Sequence, residues 1–169
     1  MNKRDAEKLR ANLVDEVGGG LTNVFVSRGF RHVPLPPDEA DSELRNIFPL
    51  GRLKRQRGDC LDVIEFQFDK YGRPKFVINF GVVPAGGVTL PWGDHLVQSV
   101  ADVSALSDAY RLYSSAFRAR WFELGWLTPK NEQALSSLVA KAIALSNEIN
   151  LWFERKTVGK HMKRFGHPP

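Results

Sequence analysis

The stretch CLDVIEFQFDKYGRPKFVINFGVV, residues 60–83, decides the fold. Apolar and polar side chains alternate through residues 60–69 and again through residues 75–83, and the link between the two runs contains Gly72 and Pro74. Alternation with a period of two is typical of half-buried strands, and two such runs joined by a short turn predict a β-hairpin. The apolar face of this hairpin would consist of Ile64, Phe66, Phe68, Phe76, Ile78, Phe80 and Val82.

The length of the link also predicts the register of the hairpin. With a five-residue loop at residues 70–74, every apolar residue of one strand meets an apolar residue of the other, and opposite charges meet beside the loop. A slip of one residue would send every side chain to the wrong face. The predicted pairs are Asp69 with Lys75, Phe68 with Phe76, Phe66 with Ile78, and Glu65 with Asn79.

Helical patterns precede the hairpin. Residues 3–17 carry apolar side chains at helical spacing, and the run Gly18-Gly19-Gly20 is expected to break this helix. A second, short helical pattern follows, and Gly29 is placed to end it as a left-handed cap. Residues 34–50 open with prolines and predict a loop with one or two helical turns from Asp38 to Asn46.

The segments on either side of the hairpin complete the fold prediction. Residues 51–57 and 109–123 contain strand candidates, and Thr128-Pro129 is a typical start for a helix that runs to about Arg155. The helix carries an apolar stripe that can cover one side of a sheet. We therefore expect an α+β fold: a three- to five-stranded antiparallel sheet with N- and C-terminal helices packed on one face.

Composition favours one intracellular domain. A chain of 169 residues fits a single domain, which we place at residues 1–155, with a basic C-terminal tail at 156–169. The single cysteine, Cys60, favours a reducing compartment. The charged N-terminus does not resemble a signal peptide, and no apolar run is long enough to span a bilayer. We expect a cytoplasmic protein without a membrane partner.

The position of the net charge matters more than its size of +5. Residues 1–154 carry 19 basic and 19 acidic residues, so this part of the chain is neutral. The excess lies after Glu154, and a neutral body with a short basic tail does little to indicate nucleic-acid binding. The alternative nucleic-acid site is therefore the tail alone, with the cations Arg155, Lys156, Lys160, Lys163 and Arg164.

The chain resembles a family of bacterial domains of unknown function. The resemblance rests on a helix ending in Gly29-Phe30 with basic residues after it, then the strands Val63-Ile64-Glu65-Phe66-Gln67 and Phe76-Val77-Ile78-Asn79-Phe80-Gly81-Val82. It continues through Arg111 or Arg118, the pair Trp121-Phe122 and the C-terminal helix. The resemblance implies the α+β fold but no activity. By analogy, it suggests an accessory or immunity-type protein of a bacterial toxin system.

The polar face of the hairpin is the leading candidate for a binding site. If the helices cover the phenylalanine face, this opposite face has no apolar partner and must be solvated or occupied by a ligand. Its carboxylate, amide and guanidinium groups suit a protein or peptide partner, while a homodimer interface and a simple solvated face are the alternatives. The candidate binding residues are Arg55, Arg57, Glu65, Gln67, Asn79, Arg118 and Arg120.

Signals for catalysis, metals and cofactors are weak. The four histidines lack ligand spacing, Asp94-His95 is an isolated pair, and the glycine runs do not match a phosphate-binding loop. We expect no cofactor, no metal and no catalytic residue. An aromatic group in the C-terminal half is expected to be core rather than a ligand cage: Trp121, Phe122, Trp126, Trp152 and Phe153.

The sequence thus leaves three functions open. The first is a non-enzymatic binding or protein-interaction module that uses the polar sheet face or the loop at 34–50. The second is nucleic-acid binding through the tail. The third is an enzyme of unrecognised type, which would need a deep pocket that gathers Glu65, Asn79 and an arginine or His95.

Overall fold

The computed structural model describes residues 3–40 and 43–165, and within them a seven-stranded antiparallel sheet forms the centre of the molecule. The strands follow the spatial order β1-β2-β3-β4-β7-β9, and β8 pairs with the same side of β4 as β7 does. These strands are β1 (Arg31–Val33), β2 (Arg52–Arg57), β3 (Cys60–Phe68), β4 (Lys75–Val83), β7 (Ala109–Leu112), β8 (Phe122–Glu123) and β9 (Met162–Phe165), and a separate two-stranded ribbon contains β5 (Val88–Thr89) and β6 (His95–Leu96).

The α+β class and the antiparallel sheet are confirmed, but the predicted number of three to five strands is too small. Strands β1, β8 and β9 have only two to four residues each, which is too short for alternation to reveal them. The strand candidates within residues 109–123 become β7 and β8, which are separated by a loop and both pair with β4.

The predicted hairpin and its register are confirmed. Strands β3 and β4 pair antiparallel, with Phe66 opposite Ile78 and Glu65 opposite Asn79. At the loop, the backbone N–H of Asp69 donates to the carbonyl of Lys75, and the Lys75 ammonium lies 3.7 Å from the Asp69 carboxylate. The apolar faces of the two strands are buried together.

The N-terminal helix does not break at its three glycines, contrary to the prediction. Helix α1 (Lys3–Glu16) continues through a π-helical turn (Val17–Leu21) into α2 (Thr22–Val26). Only one of the three glycines lies where a neighbour approaches closely: a Cβ on Gly18 would lie 3.2 Å from a methyl group of Leu50, whereas a Cβ on Gly20 would make an ordinary contact with Val139 at 3.4 Å. Leu50 and the helical residue Val139 therefore pack beside this turn, and the glycines do not end the helix.

The predicted left-handed cap at Gly29 is confirmed. Gly29 has a φ of +89°, and its N–H donates to the carbonyl of Val26 while the N–H of Phe30 donates to the carbonyl of Phe25. This pair of bonds is a Schellman motif, which ends α2 and turns the chain towards β1. The two predicted helical turns after Asp38 are α3 (Pro37–Ala40) and α4 (Leu44–Ile47), with residues 41 and 42 outside the described part of the chain.

The C-terminal helix α5 (Glu132–Arg155) ends where it was predicted to end but starts later. Asn131 caps it, since its side-chain oxygen accepts from the backbone N–H of Ala134 at 2.9 Å, so Thr128-Pro129 is not the start. The apolar stripe of α5 packs on the phenylalanine face of the sheet, where the rings of Phe80 and Trp152 lie 5.2 Å apart. Helix α1 and the π-helical turn complete this layer.

Part of the expected C-terminal tail belongs to the sheet. Strand β9 pairs with β7, and Glu148 of α5 fixes the turn before it by accepting the backbone N–H of His161 at 3.0 Å. Residues 166–169 lie outside the described residues. Within the part of the chain that the structure describes, no helix is long and apolar enough to cross a membrane.

A charge in the helix-facing core should unfold the protein. Ile78 is fully buried on β4, so Ile78→Asp or the equivalent Phe66→Asp would place an unpaired carboxylate among apolar side chains. We expect loss of the cooperative thermal transition followed by circular dichroism. Val158→Asp, at a position that is 54% exposed, is the control and should melt as the wild type does. A wild-type melting curve for Ile78→Asp would contradict the placement of β4.

Candidate functional site

A row of polar side chains crosses the sheet on the face opposite α5. The register places Arg52 of β2 beside Glu65 of β3, Glu65 beside Asn79 of β4, and Asn79 beside Arg111 of β7. We call these four residues the polar row. The predicted polar face therefore exists, and the sequence missed two members, Arg52 and Arg111, because their strands lack clear alternation.

Arg52 lies among three carboxylates. Its Nε donates to Glu65 Oε1 at 3.0 Å, its Nη1 to Glu39 Oε2 at 2.8 Å, and its Nη2 lies 3.3 Å from Asp102 Oδ2. Burial lowers the pKa of Arg52, but the charge of Glu65 and the hydrogen bonds to Glu65 and Glu39 outweigh burial, so the pKa rises above its ordinary value. The guanidinium thus joins β2 to β3, α3 and the segment around Asp102.

Glu65 has an unusual environment for a carboxylate. Its side chain is only 3% exposed, and it accepts from Arg52 and from the backbone N–H of Val103, the latter at 3.4 Å. Burial raises the pKa of Glu65, and the charge of Asp102 raises it further. Arg52 opposes both effects only in part, so the pKa reaches about 7. Near neutral pH, Glu65 therefore exchanges between a neutral and a charged form.

The other end of the polar row is a network of amides and one guanidinium. Arg111 donates from Nε to Asn79 Oδ1 at 2.7 Å and from Nη2 to Gln67 Oε1 at 2.8 Å. Asn79 Nδ2 donates to the same Gln67 oxygen at 2.9 Å, and the Arg111 guanidinium lies over the ring of Phe165. These groups satisfy one another, so the network stabilises the sheet without an external ligand.

The expectation that the polar face lacks cover is wrong. Residues 97–106 lie across it, with Ala101 and Val103 fully buried, and they form a second small core with Val63 and other residues of the sheet. Gly81 permits this approach, because a Cβ there would lie 2.5 Å from a methyl group of Leu106. We call residues 97–106 the cover segment. Because of the cover, Glu65 and Asn79 are each only 2% exposed.

Arg55 and Arg57 do not share the polar face, which corrects their assignment to that site. Both point to the helix side of β2 and bind the carboxylate of Asp62, at 2.8 Å from Arg55 and 2.9 Å from Arg57. Asp62 is fully buried, and Arg55 also lies over the ring of Phe30 at 4.4 Å. The two arginines neutralise a buried charge, a role that alternation alone could not assign.

Arg118 and Arg120 lie far from the polar row in the connection between β7 and β8. Both are exposed and line a groove of about 850 Å³ together with Trp121, Trp126 and Lys141. No ion pair involves either arginine within the described residues, whereas every arginine of β2 and β7 binds a side-chain oxygen of the sheet. The remaining residues of the groove are Ser114, Ser115, Phe117, Glu123, Leu124 and Gly125.

The groove is bordered by large apolar side chains that face solvent. Phe117 is 95% exposed, Trp126 89% and Leu127 77%. The prediction that the C-terminal aromatic group is core is correct for Phe122, Trp152 and Phe153 and wrong for Trp126, while Trp121 is half-buried. The prediction did not include Phe117. We call Phe117, Trp121, Trp126 and Leu127, with Arg118, Arg120 and Lys141, the aromatic surface.

Hydrogen bonds to the backbone hold this connection in place. The N–H of Ser114 donates to the carbonyl of Arg120 at 2.8 Å, and the Ser114 hydroxyl donates to the carbonyl of Trp121 at 2.8 Å. Lys130 Nζ donates to the carbonyl of Gly125 at 2.7 Å, and the Lys75 ammonium lies 4.9 Å from the centre of the Trp121 ring. Together with the pairing of β8, these contacts set the shape of the groove.

The cations of the predicted tail site do not form a single surface. Arg155 ends α5, and the Lys156 ammonium lies 3.8 Å from the centre of the Trp152 ring. Lys163 and Arg164 are neighbours on β9 and point to opposite faces of the sheet. Lys160 lies in the turn before β9.

Within the described residues, the histidines show no catalytic arrangement with the polar row. His95 lies in the β5–β6 ribbon, where its Nδ1 is 3.1 Å from the Thr89 hydroxyl. Glu65 and Asn79 are buried under the cover segment, so no open pocket gathers them with His95. Across residues 3–40 and 43–165, no group of three or more His, Cys, Asp and Glu side chains could hold a metal ion.

These features define a class of protein: a small α+β domain with an antiparallel sheet, one face packed by helices and the other by a cover segment over a polar row. A family model described as a domain of unknown function, DUF4304, matches residues 52–155. The chain belongs to the DUF4304 family. No curated protein and no solved structure matches it.

The matched stretch shows which features lie in the family region. It begins at Arg52 and ends with the last residue of α5, so it contains the whole polar row and the aromatic surface. Helices α1 and α2 and strand β9 lie outside it. That the chain contains a domain of unknown function is thereby confirmed, whereas the bacterial origin and the motifs on which the resemblance rests, including Gly29-Phe30 outside the matched stretch, stay predictions.

Arg52 and Glu65 form an ion pair in the polar row, and substitutions of these two residues should change the free energy of unfolding differently. Arg52→Met would leave Glu65 buried without its cation, so we expect the free energy of unfolding to fall by about 3–5 kcal/mol. Glu65→Gln keeps an oxygen acceptor and removes the charge, so at pH 8 it should be at least as stable as the wild type. Denaturant unfolding measures both, and Arg120→Met, at an exposed position, should change stability by less than about 0.5 kcal/mol.

The raised pKa of Glu65 should make the stability of the protein depend on pH. The folded protein holds the Glu65 proton more tightly than the unfolded chain, so this stabilisation is complete below about pH 4.5 and disappears as the pH rises through about 7. Over that interval the wild type should lose stability relative to Glu65→Gln, by on the order of 1.4 kcal/mol per pH unit. A constant difference between the two proteins would contradict the raised pKa.

Proposed function

We propose that this chain is a protein-interaction module that binds its partner through the aromatic surface. The observation that carries the proposal is the exposure of Phe117, Trp126 and Leu127, which are 95%, 89% and 77% accessible beside a preformed groove. Isolated exposed apolar residues are common, but a cluster of them beside a groove is typical of an interaction site. Aromatic and arginine side chains are also the residues enriched at protein interfaces.

The position of the aromatic surface supports an interaction role. Phe117, Arg118, Arg120 and Trp121 lie in the connection between β7 and β8, and both of these strands pair with β4, so the sheet holds both ends of the connection. Lys141 lies on α5. Backbone hydrogen bonds from Ser114 fix the shape of the connection before any partner arrives. A surface that is already ordered loses less conformational entropy on binding, which favours affinity.

The polar sheet face and the loop at 34–50, which the sequence suggested for an interaction module, have less support. The polar face is buried by the cover segment, and its groups bind one another. In the loop at 34–50, Glu39 binds Arg52, so this part of the loop also serves the fold. Two of the seven candidate binding residues, Arg118 and Arg120, lie on the aromatic surface, and the proposal retains them in a binding role.

The interaction role predicts a partner whose capture depends on the aromatic surface. Tagged wild type, Phe117→Ser/Trp126→Ser and the control Trp92→Ser would each be used to capture proteins from a lysate of the cells that produce the chain. Trp92 is 65% exposed but lies on the β5–β6 ribbon, so the control loses an exposed aromatic residue elsewhere. We expect a partner that the wild type and Trp92→Ser retain and that the double variant loses, with affinity reduced at least about tenfold.

The control measurements are the melting temperatures and the oligomeric state. All three proteins should melt alike, because these side chains are largely exposed and contribute little to the core. If the double variant captures the same proteins as the wild type with equal yield, the aromatic surface is not the interaction site.

A further inference from the structure

The charges around the groove identify the kind of partner it suits. Arg118, Arg120 and Lys141 line the groove, and Glu123 is the only carboxylate among its lining residues. None of the three cations forms an ion pair with another described residue. The groove therefore presents a net positive charge that the protein itself leaves uncompensated.

The unpaired state of these cations distinguishes them from the arginines inside the fold. Arg52 contacts three carboxylates, Arg55 binds Asp62, and Arg73 binds Asp69 at 2.8 Å. Those arginines stabilise buried or turn carboxylates. Arg118 and Arg120 have no such role in the fold, so their charges are available to a partner.

The apolar part of the groove needs a partner with apolar side chains. Trp121 and Leu124 flank the two residues of β8, and Leu124 packs against the main core, so the floor of the groove is anchored to the sheet. Phe117 and Trp126 also line the groove, and their side chains are exposed to solvent. A volume of about 850 Å³ falls within the range of pockets that hold small ligands, and it is large enough for several side chains of a peptide.

From this combination we infer that the groove binds an acidic protein segment that inserts at least one apolar side chain between Phe117 and Trp126. The inference rests on the proposed function and adds the chemistry of the partner. Carboxylates of the segment would pair with Arg118, Arg120 and Lys141, while the apolar residue would be buried against Trp121 and Leu124. Arginine forms two-pronged hydrogen bonds with a carboxylate, which makes it suited to such recognition.

A single-stranded nucleic acid fits the groove less well. It would require cations that track a phosphate backbone and ring faces on which successive bases stack. Here the lining residue Leu124 contributes aliphatic surface that offers no stacking platform, and the lining residues include only three cations. The tail cations Arg155, Lys156, Lys160, Lys163 and Arg164 are not among the residues that line the groove.

A displayed library of random peptides tests the inference with a defined probe. Peptides would be selected on the immobilised wild-type chain and counter-selected on Phe117→Ser/Trp126→Ser. We expect the enriched peptides to carry a net negative charge and an aromatic or large aliphatic residue. Their affinity should fall as the ionic strength rises from ~0.1 M to ~1 M, because the Debye length shortens from ~10 Å to ~3 Å.

Charge reversal separates a specific contact from a general attraction. For the enriched peptides, Arg118→Glu/Arg120→Glu/Lys141→Glu should weaken binding at least about tenfold. The matched control Arg4→Glu/Arg31→Glu/Arg45→Glu makes the same change in net charge at exposed positions outside the groove and should bind like the wild type. Equal weakening by both triple variants would overturn the inference of a specific acidic site.

The remaining outcomes distinguish failure of this inference from failure of the proposed function. Enrichment of neutral or basic peptides that depend on Phe117 and Trp126 would overturn the acidic partner and leave the interaction module standing. No enrichment over the double variant would overturn both. Binding of oligothymidylate that Phe117→Ser/Trp126→Ser abolishes would assign the groove to nucleic acid. A dimer in light scattering that the same variant makes monomeric would assign it to a second copy of the chain.

Discussion

The pairing of β3 with β4 is the constraint on which the rest of the structure depends. Its register sets phenylalanine and isoleucine side chains against one another on one face and Glu65 against Asn79 on the other. The apolar face is stable only when helices remove it from water, and α5, α1 and the π-helical turn do so. The polar face requires partners for its charges, and β2, β7 and the cover segment supply them. Both layers of the molecule follow from this one hairpin.

The arginines divide into two groups: one group binds internal acceptors and stabilises the fold, and the other lies on the proposed binding surface. Those on β2 and β7 hold buried acceptors: Arg52 binds Glu65, Arg55 and Arg57 bind Asp62, and Arg111 binds Asn79 and Gln67. A buried carboxylate without such a partner would be costly, so these arginines are requirements of the fold. Arg118 and Arg120 lie outside this network, beside apolar side chains that the fold also leaves in solvent. Arginine therefore stabilises the fold within the sheet and remains available to a partner in the connection between β7 and β8.

Local patterns predicted much of the fold, and the missed elements share a physical cause. The hairpin, its register, the Gly29 cap and the end of α5 depend on neighbours in sequence, where alternation and turn chemistry act. The helix that continues through Gly18–Gly20 depends on packing against Leu50 and Val139, which are distant in sequence. Strands β1, β8 and β9 are too short to show a period, and the cover segment has none. For the site, the sequence identified the polar face and the exposed arginines but placed them together, although they lie on different parts of the molecule.

By itself, the sequence determined the antiparallel hairpin, the helices that flank it and the residues that form its apolar and polar faces, because strand and helix periodicity encode burial directly. Only the tertiary structure decided which polar groups are internal and which are available. Glu65 is buried because residues 97–106 fold across it, and Phe117 and Trp126 are exposed because no segment of the described chain covers them. Burial at these positions depends on contacts between segments distant in sequence, and such contacts leave no period in the sequence of either segment.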